Sequence, residues 1–275
     1  FKQKTAYEIP KRDWSSDVCS SDLVTGASSG FGELAALRFG RAGSTVVLTA
    51  RRADRLEDVA RRIRERGGTA DTVVCDVADV ASIDALAATV RERHGRVDVL
   101  VNNAGIPGGG GFAGLTAEQI DAVIRVNVLG VLQTTRAFLP MFLERGRGHI
   151  VNVASLAGRF ATPGHSVYTA SKHAVVAFSE AVAYELAPKG VRITSVNPGF
   201  AATEGFPQTG LPKAVVMDAD KVAKVIVDVV RRDAGPEVSV PRGMSIFELF
   251  RVLTPGAYRA VIRRIAGRMR PTAAR

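Results

Sequence analysis

The sequence predicts an α/β fold: a doubly wound parallel sheet in a single domain. Three observations carry that expectation. Apolar runs of strand length alternate with longer runs of helical spacing, and the connections between them are short. A glycine-rich turn, Thr25-Gly26-Ala27-Ser28-Ser29-Gly30-Phe31-Gly32, reads straight into a helical pattern. No internal repeat or second domain interrupts the alternation.

The elements follow in order from that turn. Glu33–Arg41 reads as a helix, Thr45–Thr49 as an apolar strand, Asp54–Arg66 as a helix and Ala70–Cys75 as a strand. Ala81–His94 is a helix and Val97–Val101 a strand buried on both faces, as a parallel sheet requires. Pro107 to Gly114 is glycine-rich and reads as a mobile loop. Thr116–Leu143 is a long helix with an interruption expected near Pro140. His149–Ala154 is a strand, Ser166–Ala187 a helix and Val191–Val196 a strand, and a helix near Ala219–Arg232 precedes the last strand, Glu237–Val240. Right-handed crossovers between parallel strands place ligands at the C-terminal strand ends, where the motifs below fall.

The segment before the turn reads differently. Cys19-Ser20-Ser21-Asp22-Leu23-Val24 is a poor candidate for a core strand. Residues 13–23, DWSSDVCSSDL, match one reading frame of a common sequencing-library adapter, and residues 2–9, KQKTAYEI, match the corresponding primer end. The expectation is that residues 1–23 are translated adapter and that the native first strand is not represented. A genuine polar N-terminal tail is the alternative. No apolar core of a signal peptide is present in it.

Without that segment Trp14 and Cys19 drop out and Cys75 is the remaining cysteine. One cysteine forms no intrachain disulfide, which fits a reducing cytoplasm, and at the end of an apolar strand it reads as a core residue. His94, His149, His165 and His173 show no metal-ligand spacing, so no metal is expected. No stretch of about eighteen apolar residues suggests a membrane span. Roughly 250 residues remain, enough for one α/β domain with a large core.

The net charge is +10, and its distribution matters more than its size. From Pro241 to Arg275 stand Arg242, Arg251, Arg259, Arg263, Arg264, Arg268, Arg270 and Arg275 against Glu248. Tyr258, Val261, Ile262, Ile265 and Met269 recur there at helical spacing, making residues 241–275 a basic amphipathic extension. Docking of its apolar face on the domain or a second subunit is favoured over an anionic membrane surface. Nothing supports nucleic-acid binding, since no basic–aromatic interleaving or binding module is visible.

The chemistry centres on Tyr168, followed four residues later by Lys172, with Ser155 upstream. One helical turn puts the phenol and the ammonium on one face. An ammonium beside a phenol favours the phenolate, lowering a pKa near 10 toward a useful range. Such a Tyr exchanges a proton with an alcohol or ketone, and a Ser hydroxyl aimed at the same oxygen stabilises charge developing there. In the glycine turn, backbone N–H groups and the helix N-terminus favour a pyrophosphate. Asn127, inside the apolar run Val126-Asn127-Val128, is costly there unless hydrogen-bonded.

The T-G-x-x-x-G-x-G turn, Asn102-Asn103-Ala104-Gly105, Asn127, Ser155, Tyr168, Lys172 and Asn197-Pro198-Gly199 stand in an order and spacing that resemble the short-chain dehydrogenase/reductase family. The resemblance runs from about Val24 to about Val240, and as a set the motifs are far more specific than any one of them. It implies a Rossmann fold and an NAD(P)-dependent oxidoreductase, commonly a homodimer or homotetramer. It implies that Tyr168 donates a proton to a carbonyl oxygen held by Ser155 as the cofactor's hydride is transferred, with Lys172 lowering the Tyr pKa and holding the nicotinamide ribose. Asn127 is then the residue holding a water in the proton relay; a buried structural amide is the alternative. The implied cofactor contacts are Gly26, Ser28, Ser29, Gly30, Phe31 and Gly32, then Asn103, Ala104 and Gly105, then Pro198, Gly199 and Thr203, with Tyr168 and Lys172. Asp76, with Val77 beside it, resembles the adenine contact, or is a loop cap.

At the end of the second strand stands Ala50-Arg51-Arg52, with no carboxylate until Asp54. An acidic residue there would bind the ribose hydroxyls, whereas guanidinium suits a 2′-phosphate. NADP(H) is therefore preferred over NAD(H), with Arg51 as the contact and Arg52 in reserve; ordinary surface arginines are the alternative. By family analogy Phe200 to Met217 covers the substrate, and Phe200, Phe206, Leu211 and Val215, with Phe112, Phe160 and His165, make an apolar lining. That points to a lipophilic ketone or secondary alcohol such as a steroid, terpenoid or acyl compound. An oxidative NAD-dependent alcohol dehydrogenase and a non-catalytic dinucleotide sensor or scaffold are the other readings.

Overall fold

The computed structural model describes residues 21–207, 216–232 and 235–268. The expectations placed on residues 1–20, on Leu211 and Val215, and on Met269, Arg270 and Arg275 lie outside the described residues, as do the side chains of Arg242, Glu248, Ile265 and Arg268.

The strands are β1 (Ser21–Thr25), β2 (Thr45–Ala50), β3 (Thr69–Val74), β4 (Val99–Asn102), β5 (Gly148–Val153), β6 (Val191–Pro198) and β7 (Glu237–Val240). All pair in parallel, in the order β3-β2-β1-β4-β5-β6-β7. Each crossover passes through helix: α1 (Gly30–Arg41), α2 (Ala53–Arg64), α3 (Val80–His94), α4 (Ala117–Ile124), α5 (Gly130–Arg145), α6 (Ser166–Leu186) and α7 (Ala219–Arg232). Two further helices, α8 (Ile246–Leu253) and α9 (Pro255–Arg268), follow the last strand.

Strand alternation divides the core. Val24, Val46, Leu48, Val99 and Val101 face α1, α2 and α7, meeting Phe39, Leu56, Ile63, Ile226 and Val230. Leu23, Val47, Leu100 and Ile150 point the other way, onto Ile83, Leu86, Phe138, Phe142 and Leu186 of α3, α5 and α6. Strand order reverses beside β1, so the turns after β1 and β4 flank a crevice at their C-terminal ends.

Three elements depart from the pattern expected of them. Ser21, Asp22 and Leu23 occupy the central strand, fully in register with Thr45–Val47 of β2. The division expected between residues 23 and 24 thus falls inside β1. Its first residue is tied down because Ser21 N donates to the Asp98 carboxylate at 3.1 Å, which Arg145 and Arg96 also pair with.

The long helix is not interrupted at Pro140, which lies within α5. The irregularity is a π-helical stretch, Arg125–Leu129, between α4 and α5. The run 117–145 is long enough to cross a membrane, and an 18-residue window within it reaches a mean hydropathy of 1.2. It is a core helix instead, with Val131, Phe138, Met141 and Phe142 buried in the domain.

The basic extension is two helices rather than one. Tyr258 of α9 accepts a hydrogen bond from Ala161 N at 3.0 Å and packs edge-on against Phe250 of α8. Arg251 donates to the Arg159 carbonyl. The extension therefore touches the loop after β5, yet Leu249, Val252, Leu253 and Val261 remain exposed.

Candidate active site

The turn between β1 and α1 is shaped by what its backbone must approach. Gly30 has φ of +60°, a conformation that favours glycine, and a Cβ there would lie 3.2 Å from Thr203 Cβ. A Cβ on Gly32 would fall 2.4 Å from the Gly26 carbonyl oxygen and 2.5 Å from Asn103 Nδ2. Only glycine fits. Ser29 precedes α1 in extended conformation without a side-chain cap on the helix, so the first-turn amides are available to an anion beside the buried Ser28 and the half-buried Phe31.

Asn103 and Thr25 clamp this turn to β4. Asn103 Nδ2 donates to the carbonyls of Thr25 (3.0 Å) and Gly26 (3.3 Å). Thr25 Oγ1 accepts from the amides of Asn103 (3.0 Å) and Ala104 (3.1 Å) and donates to Val101 O (3.3 Å). Deeper in the sheet Asn102 Nδ2 donates to Asn152 Oδ1 and Thr135 Oγ1, and Asn152 Nδ2 to Ser179 Oγ. The signal in the sequence for Thr25 and Asn152 is a polar residue adjoining apolar ones within a strand, and for Ser179 a polar residue on the buried face of α6.

The turn after β5 carries Ser155, and the first two turns of α6 carry Tyr168 and Lys172. The Ser155 hydroxyl hydrogen-bonds the Tyr168 phenol. Ser155 Oγ also accepts from Ala157 N (3.1 Å), and the Pro198 carbonyl, 3.4 Å away, is the alternative acceptor of its one proton. Lys172 is buried; its ammonium donates to Val153 O at 2.9 Å and stands 5.7 Å from the centre of the Tyr168 ring. Burial holds the Lys172 pKa down to about 8.

The phenol does not follow the expectation of a lowered pKa. Burial pushes Tyr168 up to about 12, against the smaller opposing effect of the Ser155 hydrogen bond. The ammonium is turned onto Val153 O, and desolvation of a phenolate outweighs what a cation at that distance returns.

Asn127 is fully buried at the π-helical stretch. Its Oδ1 accepts from Ile106 N (2.8 Å), and its Nδ2 donates to Ile106 O (3.0 Å) and Ser171 Oγ (3.2 Å). Ser171 Oγ in turn donates to Tyr168 O at 2.7 Å. The amide thus pins the loop after β4 to the turn of α6 that presents the phenol. The π-helical geometry aims it there, as wider turns often do at functional sites. Gly105 stands between them: a Cβ on it would be 3.3 Å from Asn127 Oδ1 and 3.7 Å from Lys172 Nζ.

The remaining expected residues fall around this centre. The glycine-rich loop packs close, with a Cβ on Gly108 lying 3.2 Å from Tyr168 N. Phe206 lies 5.7 Å from the Tyr168 ring, tilted by 55°. His165 and Phe160 are half-buried near the helix start, whereas Phe112 and Phe200 are exposed. Gly199 N donates to Val240 O, which fixes the turn after Pro198. Asp76 caps its own loop, Oδ1 accepting from Ala78 N at 3.0 Å, and Val77 packs on Gly130.

At the end of β2, Arg51 is exposed and makes no ion pair among the described residues. Arg52, also exposed, bridges two groups, Nη2 donating to Ser28 Oγ (3.2 Å) and Nη1 pairing with Glu204 (2.5 Å). Arg55 takes the other Glu204 oxygen at 2.8 Å. Nothing in sequence spacing links Glu204 to Arg52 and Arg55, which lie so far from it along the chain.

The family model for short chain dehydrogenases matches residues 22–211. A protein of Streptomyces coelicolor bearing the name of a ketoacyl reductase is 46% identical over 183 residues, 66% of this chain and 70% of that one. The oxidoreductase EphD of Mycobacterium tuberculosis is 36% identical over 261 residues, 87% of this chain; the chain spans 44% of its length. Among solved structures, a variant of the actinorhodin polyketide ketoreductase with NADPH has a TM-score of 0.76 at 34% identity, covering 82% of this chain and 97% of that one. The uncapped turn amides, the clamped glycines and the Ser155–Tyr168–Lys172 cluster fit a nicotinamide dinucleotide. The chain belongs to the short-chain dehydrogenase family and is an oxidoreductase acting between an alcohol and a carbonyl.

Proposed function

We propose that the protein is an NADP(H)-dependent reductase of a ketone on a lipophilic, acyl-type small molecule, with Tyr168 as the proton donor. The observation that carries this reading is the half-buried phenol, next to Ser155 and one helical turn from the buried Lys172, with desolvation holding it up at about 12. A phenol in that state keeps its proton at neutral pH, as a donor to a nascent alkoxide must. The bound nicotinamide supplies the hydride.

The chain's own groups do the rest. Ser155 and Tyr168 converge on one point from the β5 turn and α6, where a carbonyl oxygen would receive two hydrogen bonds. Lys172 adds a nearby positive charge, and its closeness to Gly105 supports a role in binding ribose hydroxyls. Because the Asn127 amide is already engaged by Ile106 and Ser171, its side chain is a positioning group. The exposed Arg51 supports a 2′-phosphate, as does the NADPH in the actinorhodin ketoreductase, and the ketoacyl reductase name of the Streptomyces coelicolor relative supports the acyl ketone. The lipophilic class rests on Phe160, Phe200 and Phe206 around the opening.

The test is Tyr168→Phe against a panel of acyl ketones and sugars, following NADPH consumption and NADPH binding separately. Loss of turnover by about 10²–10⁴-fold, with NADPH affinity retained, is expected. Retained turnover, or reduction of sugars in preference to acyl ketones, overturns the reading; tighter binding of NADH than NADPH overturns its cofactor part.

A further inference from the structure

Beyond the reacting groups, one carboxylate stands where an anionic ligand is expected. Glu204 sits in a tight turn whose ends, Thr203 and Phe206, bridge each other. Each of its carboxylate oxygens takes one guanidinium, Arg52 at 2.5 Å and Arg55 at 2.8 Å, although about 150 residues of chain separate them. The Arg52 that holds Glu204 also holds Ser28 in the glycine turn. Arg51, next to it, closes β2. Two guanidinium groups therefore gather on one carboxylate of the same chain beside the glycine turn, with Arg51 next in the chain.

We infer that Glu204 is a built-in competitor of the cofactor's 2′-phosphate, occupying Arg52 and Arg55 and so setting how strongly the protein prefers NADP(H) to NAD(H). This rests on the reading of the basic cluster as the 2′-phosphate end of the site.

The physical argument is one of charge and geometry. A phosphate monoester brings nearly two negative charges near neutral pH and prefers forked guanidinium donors. It must share the cluster with a carboxylate already on Arg52, and like charges at that range repel. A dinucleotide with only ribose hydroxyls brings no such charge and leaves the pairing intact. The two arginines, Arg52 first and then Arg55, hold the Glu204 carboxyl below the usual carboxylate range, so the competitor stays charged at neutral pH. The turn is held independently: Thr203 lies against Gly30 and Phe206 against Tyr168. Replacing Glu204 by Gln therefore removes the charge and keeps the seat.

The test compares 2′,5′-ADP with 5′-ADP by calorimetry on the full chain and on Glu204→Gln, at low and high salt, with melting temperature as the check on folding. Exposed ion pairs of this kind are weak, so a gain of about 3–10-fold in 2′,5′-ADP affinity is expected in the variant, with 5′-ADP nearly unchanged. The gain shrinks as salt rises. An equal change for both ligands, or no change for 2′,5′-ADP, overturns the competitor. Arg51→Ala separates the two readings. If it abolishes the preference for 2′,5′-ADP while Glu204→Gln does nothing, the cofactor assignment stands and the role of Glu204 falls. If the wild type shows no preference and Glu204→Gln creates one, the competitor stands and the assignment of NADP(H) to the wild type falls. Glu204→Ala, tested alongside, is expected to show the same selectivity change.

Discussion

Tyr168 and Lys172 show how two side chains on one helical turn divide a task through burial. The phenol is held at about 12 and the ammonium at about 8. Up to about pH 7 both therefore carry a proton, which is the state the proposed ketone reduction needs. Raising the pH through about 8 empties Lys172 first, and Tyr168 keeps its proton well beyond that. We expect the single-turnover reduction rate to fall about tenfold per unit above pH 8, read from stopped-flow traces. Lys172→Met should start low and lose that inflection; a wild-type profile flat to pH 10 would show that the ammonium is not required. Ser155, Tyr168 and Lys172 were legible because their types and spacing state a chemistry. The direction of the Tyr168 shift was not, because it depends on how completely α6 is covered by Phe206 and the Gly108 loop.

At the scale of elements, the site is a set of turns held at fixed distances by small residues. Gly32→Ala would drive a methyl into the Gly26 carbonyl and Asn103 amide. A loss of about 1–3 kcal/mol in stability and of most dinucleotide affinity is expected, measured by denaturant melts and calorimetry. Gly114→Ala, with nothing within 4 Å of its added methyl, is expected to stay within about 0.5 kcal/mol of wild type. The alternation of strands and helices was legible element by element, mostly to within two residues. Two features were not. The π-helical stretch at Asn127 arises from a tertiary demand, the backbone of Ile106, that no local pattern encodes. β1 forms from Ser21-Asp22-Leu23 because β2 and β4 on either side dictate its place, whatever its own propensity.

For the whole molecule, the arginine-rich extension is the part whose role the domain does not absorb. Tyr258 and Arg251 tie it to the loop after Ser155. Deleting residues 257–275 is expected to lower the melting temperature by a few degrees for about 1 kcal/mol lost, and to leave pelleting with anionic vesicles unchanged. Loss of pelleting in the truncated protein would instead mark the extension as a membrane contact. The order of the sheet has a further consequence, for how the chain comes to be folded. β1 lies between β2 and β4, and the clamp from Thr25 to Val101 spans 76 residues. The crevice therefore cannot close while the ribosome has released only the first strands. Closing so large a loop in a sheet without local hairpins is slow. A dinucleotide that bridges both turns binds only the closed form, and mass action then makes the cofactor supply itself a determinant of how much folded enzyme accumulates.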